Sequence, residues 1–240
     1  MAETRKGSAQ KTADLNLKLL KIVLAAEDGE LHACFRRHCG DLPGVEVYLG
    51  SILDLEVDAV VSSANSFGFM DGGTDLTYSR HFGWDVQKRL HALIEKRHHG
   101  ELLVGAAEVV PTGNDRIPFV VAAPTMSVPM ILERSVNPYL AARAALLLVK
   151  HGRFGFRPLT GRPVASRVRS LAFTGLATGV GRVPPRVCAL QVARAIEEVL
   201  LERRSFPTSW DDAQARHQLL YTNKVRDLQF REDEEGEARI

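Results

Sequence analysis

The sequence is poor in cysteine, in net charge and in long apolar runs, and each shortage excludes a class of protein. Its 240 residues include only Cys34, Cys39 and Cys188, an odd and sparse set that does not suit a disulfide-stabilised scaffold. The 31 Lys and Arg nearly balance the 29 Asp and Glu, so bulk charge does not indicate a nucleic-acid-binding protein. No apolar run is long enough to cross a bilayer. The polar N-terminus lacks a signal-peptide core, which predicts a cytoplasmic protein without a membrane segment.

A short stretch near the N-terminus raises the question of a zinc site. His32, Cys34, His38 and Cys39 lie within eight residues, but their spacing matches no common zinc-ligand pattern. A helix with half-buried thiols and surface histidines is the simpler interpretation. We therefore expect neither a metal nor a cofactor.

Strand-like and helix-like segments alternate along most of the chain. Strands are predicted at 20–25, 45–49, 57–62, 107–110, 118–123 and 170–173, and helices at 28–38, 76–82, 84–97, 137–152 and 184–201. The near-continuous apolar character of 57–62 requires cover on both faces, which is typical of a mainly parallel sheet. The pattern predicts an α/β domain with helices on both faces of the sheet.

Both ends of the chain differ in composition from this domain. Residues 1–18 are polar and rich in small side chains, which predicts a disordered segment. The domain is expected to span residues 19–203. Residues 204–240 form a polar extension with Trp210 and Tyr221 as isolated anchors and a solvated charge run at 231–235.

Two glycine-rich loops, residues 66–75 and 174–183, each follow a predicted strand and precede an amphipathic stretch. Such a layout points backbone N–H groups and a helix N-terminus at an anion. In open α/β sheets, ligands lie outside the carboxyl ends of the strands. The two loops are therefore expected to share one cleft and to hold a diphosphate. Neither loop carries a Walker sequence or a G-x-G-x-x-G fingerprint.

The order and spacing of these segments resemble a macro domain, the ADP-ribose-binding module. The similarity lies in Gly-Ser-Ile at 50–52, Val-Asp-Ala-Val-Val-Ser-Ser-Ala-Asn at 57–65, Asp-Gly-Gly-Thr-Asp at 71–75, Gly-Ala-Ala at 105–107 and Ala-Phe through Thr-Gly-Val at 172–180. It covers roughly residues 20 to 201. The resemblance implies an α/β fold: a three-layer α/β/α sandwich with a mixed, mostly parallel central sheet.

The resemblance also implies a set of site residues. Asn65 would hold the distal ribose, and Asp75 would orient or activate a water, as in the hydrolytic macro domains. The ligand would be bound by Ser51, Ile52, Ala64, Gly72, Gly73, Thr74, Ala177, Thr178, Gly179, Val180, Gly181 and Arg182. No Cys lies between Cys39 and Cys188, so the zinc-dependent branch of the family is not expected.

Several of these positions depart from the family pattern. Ser51 stands where the family carries an Asp that hydrogen-bonds the adenine amino group. Ser62 replaces the first Asn of the family's Asn-Ala-Ala-Asn stretch. Gly181-Arg182 replaces an aromatic–glycine pair whose ring packs on the distal ribose, and adds a cation beside the expected diphosphate.

Simpler interpretations stand beside the functional ones. Asn65 also suits a turn in which the side chain bonds its own backbone, and Asp75 suits a helix N-cap. Thr178 would donate its hydroxyl to a phosphate oxygen. Arg182 would either pair with phosphate or be solvated, and Phe69 would flank the ribose or, as we favour, pack.

Three functions remain open from the sequence. The first is a zinc-independent hydrolase that removes ADP-ribosyl groups from protein Asp or Glu, or that cleaves O-acyl-ADP-ribose. The second is a non-catalytic reader of ADP-ribose or a related nucleotide. Partners would be ADP-ribose itself or ADP-ribosylated protein or nucleic acid. The third is an RNA- or nucleotide-binding protein that uses the segment from Arg157 to Arg169, which is basic and has no acidic residue.

Overall fold

The computed structural model describes residues 20–225, so the segment predicted to be disordered at 1–18 and the charge run at 231–235 lie outside it. Six strands form one sheet: β1 (Lys21–Ala26), β2 (Val45–Leu49), β3 (Ala59–Ser62), β4 (Glu108–Pro111), β5 (Phe119–Ala122) and β6 (Ser170–Phe173). Six α-helices accompany them: α1 (Gly29–Cys39), α2 (Gly73–Phe82), α3 (Asp85–His98), α4 (Asn137–His151), α5 (Pro185–Val199) and α6 (Trp210–Gln218). The predicted strands and helices up to residue 201 are all present within a few residues.

The strand order is β2-β1-β6-β3-β5-β4. All neighbouring strands run parallel except β4, which pairs antiparallel with β5 at one edge. This is the mixed, mostly parallel sheet that was predicted. The carboxyl ends of β3 and β6, from which the two glycine-rich loops depart, lie side by side because these strands are neighbours.

Side chains alternate between the two faces of the sheet and form two apolar cores. Ile22, Leu24, Val61 and Phe173 point toward the face covered by α1, α4 and α5. The opposite face carries side chains such as Val23, Val60, Val120 and Ala172, packed beneath α2 and α3. The prediction of helices on both faces, and hence of a three-layer sandwich, is confirmed.

The segment after α5 differs from the predicted extension. Residues 210–218 form a helix capped by Ser209, whose side chain accepts a hydrogen bond from the Asp212 N–H. Trp210 is 81% exposed, so the prediction that it anchors the segment is wrong, whereas Tyr221 is half-buried. The expected boundary near residue 203 stays a prediction. No helix within residues 20–225 is long and apolar enough to cross a membrane.

Candidate functional site

A cavity of about 290 Å³ opens at the carboxyl ends of β3 and β6. Both glycine-rich loops line it, together with residues that follow β5. Its walls are formed by Ser63, Ala64, Asn65, Phe69, Asp71, Gly72, Gly73, Thr74, Asp75, Thr125, Met126, Pro129, Gly175, Ala177, Thr178, Gly179, Val180 and Gly181. Two stretches about a hundred residues apart in sequence therefore face the same space.

The first loop ends in the N-terminus of α2. Gly72 has extended backbone angles as the N-cap, no side chain caps the helix, and Gly73 has a φ of +54°. The first hydrogen bond of the helix runs from the Leu76 N–H to the Gly72 carbonyl. The preceding N–H groups, those of residues 73–75, have no acceptor among the described residues, as expected for the first turn of a helix. These groups make the first loop suitable for an anion.

The second loop is held in a turn by residues with unusual backbone angles. Ala177 and Arg182 have φ values of +58° and +52°, a region that costs a non-glycine residue about 1–2 kcal/mol. The Arg182 N–H donates to Gly179 and the Val183 N–H to Ala177. Within residues 20–225 the N–H groups of 178–181 donate to no protein acceptor. Such a row of free N–H groups on a turn is a typical anion-binding arrangement.

Asp75 lies in the first turn of α2, and its side chain is turned inward. The residue is only 7% exposed, and its Oδ1 accepts a hydrogen bond of 2.5 Å from the Ser62 hydroxyl. Burial raises the pKa of Asp75 to about 7, against the smaller lowering effect of the Ser62 hydrogen bond. Gly72, not Asp75, is the N-cap, so the simpler interpretation of Asp75 as the capping residue is wrong. A carboxyl group that titrates near neutrality is suited to proton transfer.

Asn65 uses its side-chain amide to hold its own loop. Oδ1 accepts hydrogen bonds from the N–H groups of Phe67 and Phe69, at 3.1 and 3.2 Å. Nδ2 donates to the Phe69 carbonyl at 2.8 Å. An amide nitrogen has two N–H groups, so one donor remains for a ligand. Asn65 therefore forms the predicted turn with its own backbone. Its second Nδ2 N–H remains available to a ligand.

The charge at this cavity is negative. Asp71, which is exposed, and the buried Asp75 are the charged residues of the lining, and none of the lining residues is a cation. The Thr178 hydroxyl donates to the Gly175 carbonyl at 3.3 Å, so its predicted bond to a phosphate would compete with this contact. A bound phosphate would therefore have to be stabilised mainly by the main chain.

Most of the predicted site residues are brought together here. Asn65, Asp75, Ala64, Gly72, Gly73, Thr74, Ala177, Thr178, Gly179, Val180 and Gly181 all line the cavity. Three do not belong to the lining: Ser51 is half-buried before the 3₁₀ turn Ile52–Asp54, Ile52 is buried, and Arg182 is exposed. The arginine-containing segment 157–169 leads into the amino end of β6, at the other end of the sheet from the cavity.

Several residues of the wall were not predicted from the sequence: Ser63, Asp71, Thr125, Met126, Pro129 and Gly175. Phe69 is 52% exposed and lines the cavity, and its ring also packs against the His91 ring with centroids 5.1 Å apart, so both interpretations of Phe69 stay predictions. Thr125 and Met126 follow the carboxyl end of β5, which pairs with β3. The topological rule that located the two glycine loops therefore also pointed to the residues after β5.

No group of three or more His, Cys, Asp or Glu side chains within residues 20–225 is arranged to hold a metal ion. The thiols of Cys39 and Cys188 are buried, and this burial raises the pKa of each to about 12. Thiols with such pKa values are protonated at neutral pH and are poor metal ligands.

Comparisons with known proteins agree with this geometry. A family model described as "Macro domain" matches residues 61–192. An uncharacterized protein of Aquifex aeolicus is 29% identical over 154 residues, which cover 64% of this chain and 81% of that protein. An uncharacterized protein of Pyrobaculum aerophilum is 30% identical over 166 residues, 68% of this chain and 80% of that protein.

A solved structure shows the same fold. A mutant of the Oceanobacillus iheyensis macrodomain, solved with ADPR, has 19% sequence identity and a TM-score of 0.51, and the match covers 64% of this chain and 76% of that one. The family match includes the carboxyl end of β3, both glycine loops and most of α5. This chain belongs to the macro domain family.

Proposed function

We propose that this macro domain binds ADP-ribose in the cavity between its two glycine loops and hydrolyses ADP-ribosyl esters. One observation carries the proposal: free N–H groups of both loops border a single cavity whose wall also contains the buried carboxyl group of Asp75. Recognition of ADPR by a macrodomain with the same fold supports ADP-ribose as the ligand.

In this proposal the main chain binds the diphosphate. The N–H groups of 73–75 and 178–181 would surround the phosphate oxygens and compensate their charge without transferring a proton. The remaining N–H of Asn65 would donate to a hydroxyl of the distal ribose. The ribose would then lie near Asp75, since Asn65 and Asp75 line the same cavity.

Asp75 would act on the water. In its carboxylate form it would accept a proton from a water molecule while that water's oxygen attacks the carbonyl carbon of the ester. The bond between that carbon and the ribose oxygen would then break, and the ribose oxygen would take up the proton held by Asp75. The products are ADP-ribose and a free carboxylic acid. The substrates would be ADP-ribose esterified to protein Asp or Glu, or O-acyl-ADP-ribose. We also propose that the protein is cytoplasmic and that its partners are ADP-ribosylated proteins or nucleic acids.

The test compares binding with turnover in two matched variants. Titration calorimetry with ADP-ribose, AMP and ADP measures affinity, and release of ADP-ribose from an auto-modified transferase measures hydrolysis. Asp75→Asn is expected to keep ADP-ribose affinity within a few fold and to lose about 100-fold or more in rate, as removal of a general base does. Asp71→Asn, at an exposed acid of the same cavity, is the control and should retain the rate.

A non-catalytic reader is the second candidate. It is favoured by two departures from the family pattern: Ser51 replaces the Asp that hydrogen-bonds the adenine, and Gly181-Arg182 replaces the pair whose aromatic ring packs on the ribose. A reader would bind ADP-ribose and show no turnover of either class of ester in the wild-type protein. Failure to bind ADP-ribose at millimolar concentration would contradict both candidates.

A further inference from the structure

Ser62 is a buried polar residue directly behind the wall of the cavity. It is the last residue of β3, is fully buried, and does not line the cavity itself. Its hydroxyl donates to Asp75 Oδ1 at 2.5 Å, at the short end of the range for O–H···O hydrogen bonds. The contact links the end of a central strand to the first turn of α2.

This contact leaves one oxygen of Asp75 unused. Among the described residues, Ser62 is the side chain that donates to the Asp75 carboxyl group, and Oδ2 accepts no hydrogen bond. Because a carboxylate is planar, fixing Oδ1 also restricts Oδ2. Asp75 lines the cavity, so Oδ2 is the oxygen available to a water or a ligand hydroxyl.

We propose that Ser62 is the positioning residue of this site: its hydroxyl fixes the Asp75 carboxyl group from behind and keeps Oδ2 free to act on bound water. The catalytic consequence rests on the proposed hydrolase function. The positional role of Ser62 does not, because it can be measured without any substrate.

The electrostatics of the surroundings support the same role. Burial raises the pKa of Asp75 and the Ser62 hydrogen bond lowers it. The other titratable groups that face Asp75 are Tyr78, which is fully buried with a pKa raised well above its ordinary value, and the exposed Asp71. The walls formed by residues 125–129 and 175–181 carry no charge. Ser62 is therefore the side chain that favours the ionised form of Asp75.

A graded series of variants tests the proposal. Ser62→Cys keeps a weak donor of similar shape, and Ser62→Ala has no donor. Ser79→Ala is the matched control, because Ser79 is also buried but donates to the Met70 carbonyl. The carboxyl carbon of Asp75, assigned by comparison with Asp75→Asn, is titrated by NMR in the full-length folded proteins without ligand.

The expected result is a pKa of Asp75 that rises from wild type to Ser62→Cys to Ser62→Ala and is unchanged in Ser79→Ala. A rise of about one unit would lower the carboxylate fraction at pH 7 roughly fivefold. In the hydrolysis assay, kcat at pH 7 should fall by a similar factor and recover at higher pH, with KM unchanged.

The outcomes separate this proposal from the proposed function. An unchanged pKa of Asp75 in folded Ser62→Cys or Ser62→Ala would overturn the role of Ser62, whatever the activity. The graded rise in a protein that hydrolyses no ester would support the role of Ser62 and contradict the hydrolase. If Ser62→Ala does not fold, the Ser62→Cys titration decides.

Discussion

The buried carboxyl group of Asp75 is suited to proton transfer, but its burial lowers the free energy of unfolding near neutral pH. In the unfolded chain it titrates near its ordinary pKa of 3.8, whereas burial raises the pKa of the folded form to about 7. Between these values the folded protein keeps a proton that the unfolded chain has released. The free energy of unfolding therefore falls as pH rises through this window, and the loss amounts to a few kcal/mol.

Asp75→Asn should remove this pH-dependent loss, because Asn is neutral and can still accept the Ser62 hydrogen bond. We expect the Tm of the variant to exceed that of the wild type, by a difference that grows between pH 4 and pH 7 and then levels off. Thermal unfolding followed by circular dichroism across this range measures the difference.

Asp71→Asn provides the control for this measurement, since Asp71 is exposed and its neutralisation should leave the slope of Tm against pH unchanged. A Tm difference for Asp75→Asn that is the same at pH 4 and pH 8 would mean that Asp75 is not a buried acid with a raised pKa.

Asn65 allows its loop role and its ligand role to be separated. Asn65→Asp keeps the acceptor for the N–H groups of Phe67 and Phe69 and loses both amide donors. We expect Asn65→Ala to lose about 1–3 kcal/mol of unfolding free energy and Asn65→Asp to lose less. Urea unfolding measures these losses of stability. Both variants should also bind ADP-ribose at least tenfold more weakly, as measured by calorimetry. Wild-type affinity in Asn65→Asp would rule out Asn65 as a ligand donor.

At the scale of single elements, the second glycine loop depends on how closely its ends approach. A Cβ added to Gly181 would lie 2.6 Å from the Ala177 carbonyl oxygen, whereas a Cβ on Gly179 would meet nothing within 4 Å. The turn therefore requires glycine at 181 and tolerates a side chain at 179.

Gly181→Ala should displace this turn and with it the free N–H groups of residues 178–181. We expect at least a tenfold loss of ADP-ribose affinity in calorimetry and a clearly smaller loss for the matched variant Gly179→Ala. Equal affinities of the two variants would show that the turn does not contribute to ligand binding.

Elements stabilised by local interactions could be predicted from the sequence, whereas contacts between packed elements could not. Local signals sufficed for helices such as α1, where the Asp28 side chain accepts from the N–H groups of Glu30 and Leu31. Helix α6 was missed although Ser209 and the Asp212–Arg216 pair give it a cap and an i,i+4 contact, because its sequence lacks an apolar stripe. The Ser62–Asp75 bond joins residues 13 positions apart, and it arises only once β3 and α2 are packed together.

At the scale of the whole molecule, Gln191 joins three distant segments. This residue of α5 is fully buried. Its Oε1 accepts from the Tyr139 N–H of α4, and its Nε2 donates to the carbonyls of Ser135 and Leu220. Ser135 belongs to a connection in which the Leu132 N–H donates to Gly181. Gln191 thus links the segment after α6 to the connection around Ser135, and that connection is hydrogen-bonded to the second glycine loop through Leu132.

Gln191→Met should leave three partly buried backbone groups without this partner, since Met is of similar size but cannot replace the amide. We expect the free energy of unfolding to fall by at least 2 kcal/mol, measured by urea denaturation. Arg194→Met on the same helix removes a partly exposed ion pair with Glu198 and should cost less than 1 kcal/mol. Similar losses in both variants would contradict the central role of Gln191.

The meeting of the two glycine loops could be predicted because parallel strands bring their carboxyl ends to one edge. The same rule applies to the residues after β5, whereas the inward rotation of Asp75 depends on packing that no local pattern encodes.

The cavity's anion-facing groups belong to the peptide backbone, and this has an evolutionary consequence. Side-chain replacements leave main-chain N–H groups in place, so a site made from the path of the chain tolerates changes in the side chains around it. If the proposed function holds, replacements such as Ser51 and Ser62 would change substrate preference or rate while the main-chain N–H groups of the two loops stay in place. Proteins with this architecture can therefore change their substrate while they keep the same main-chain binding site.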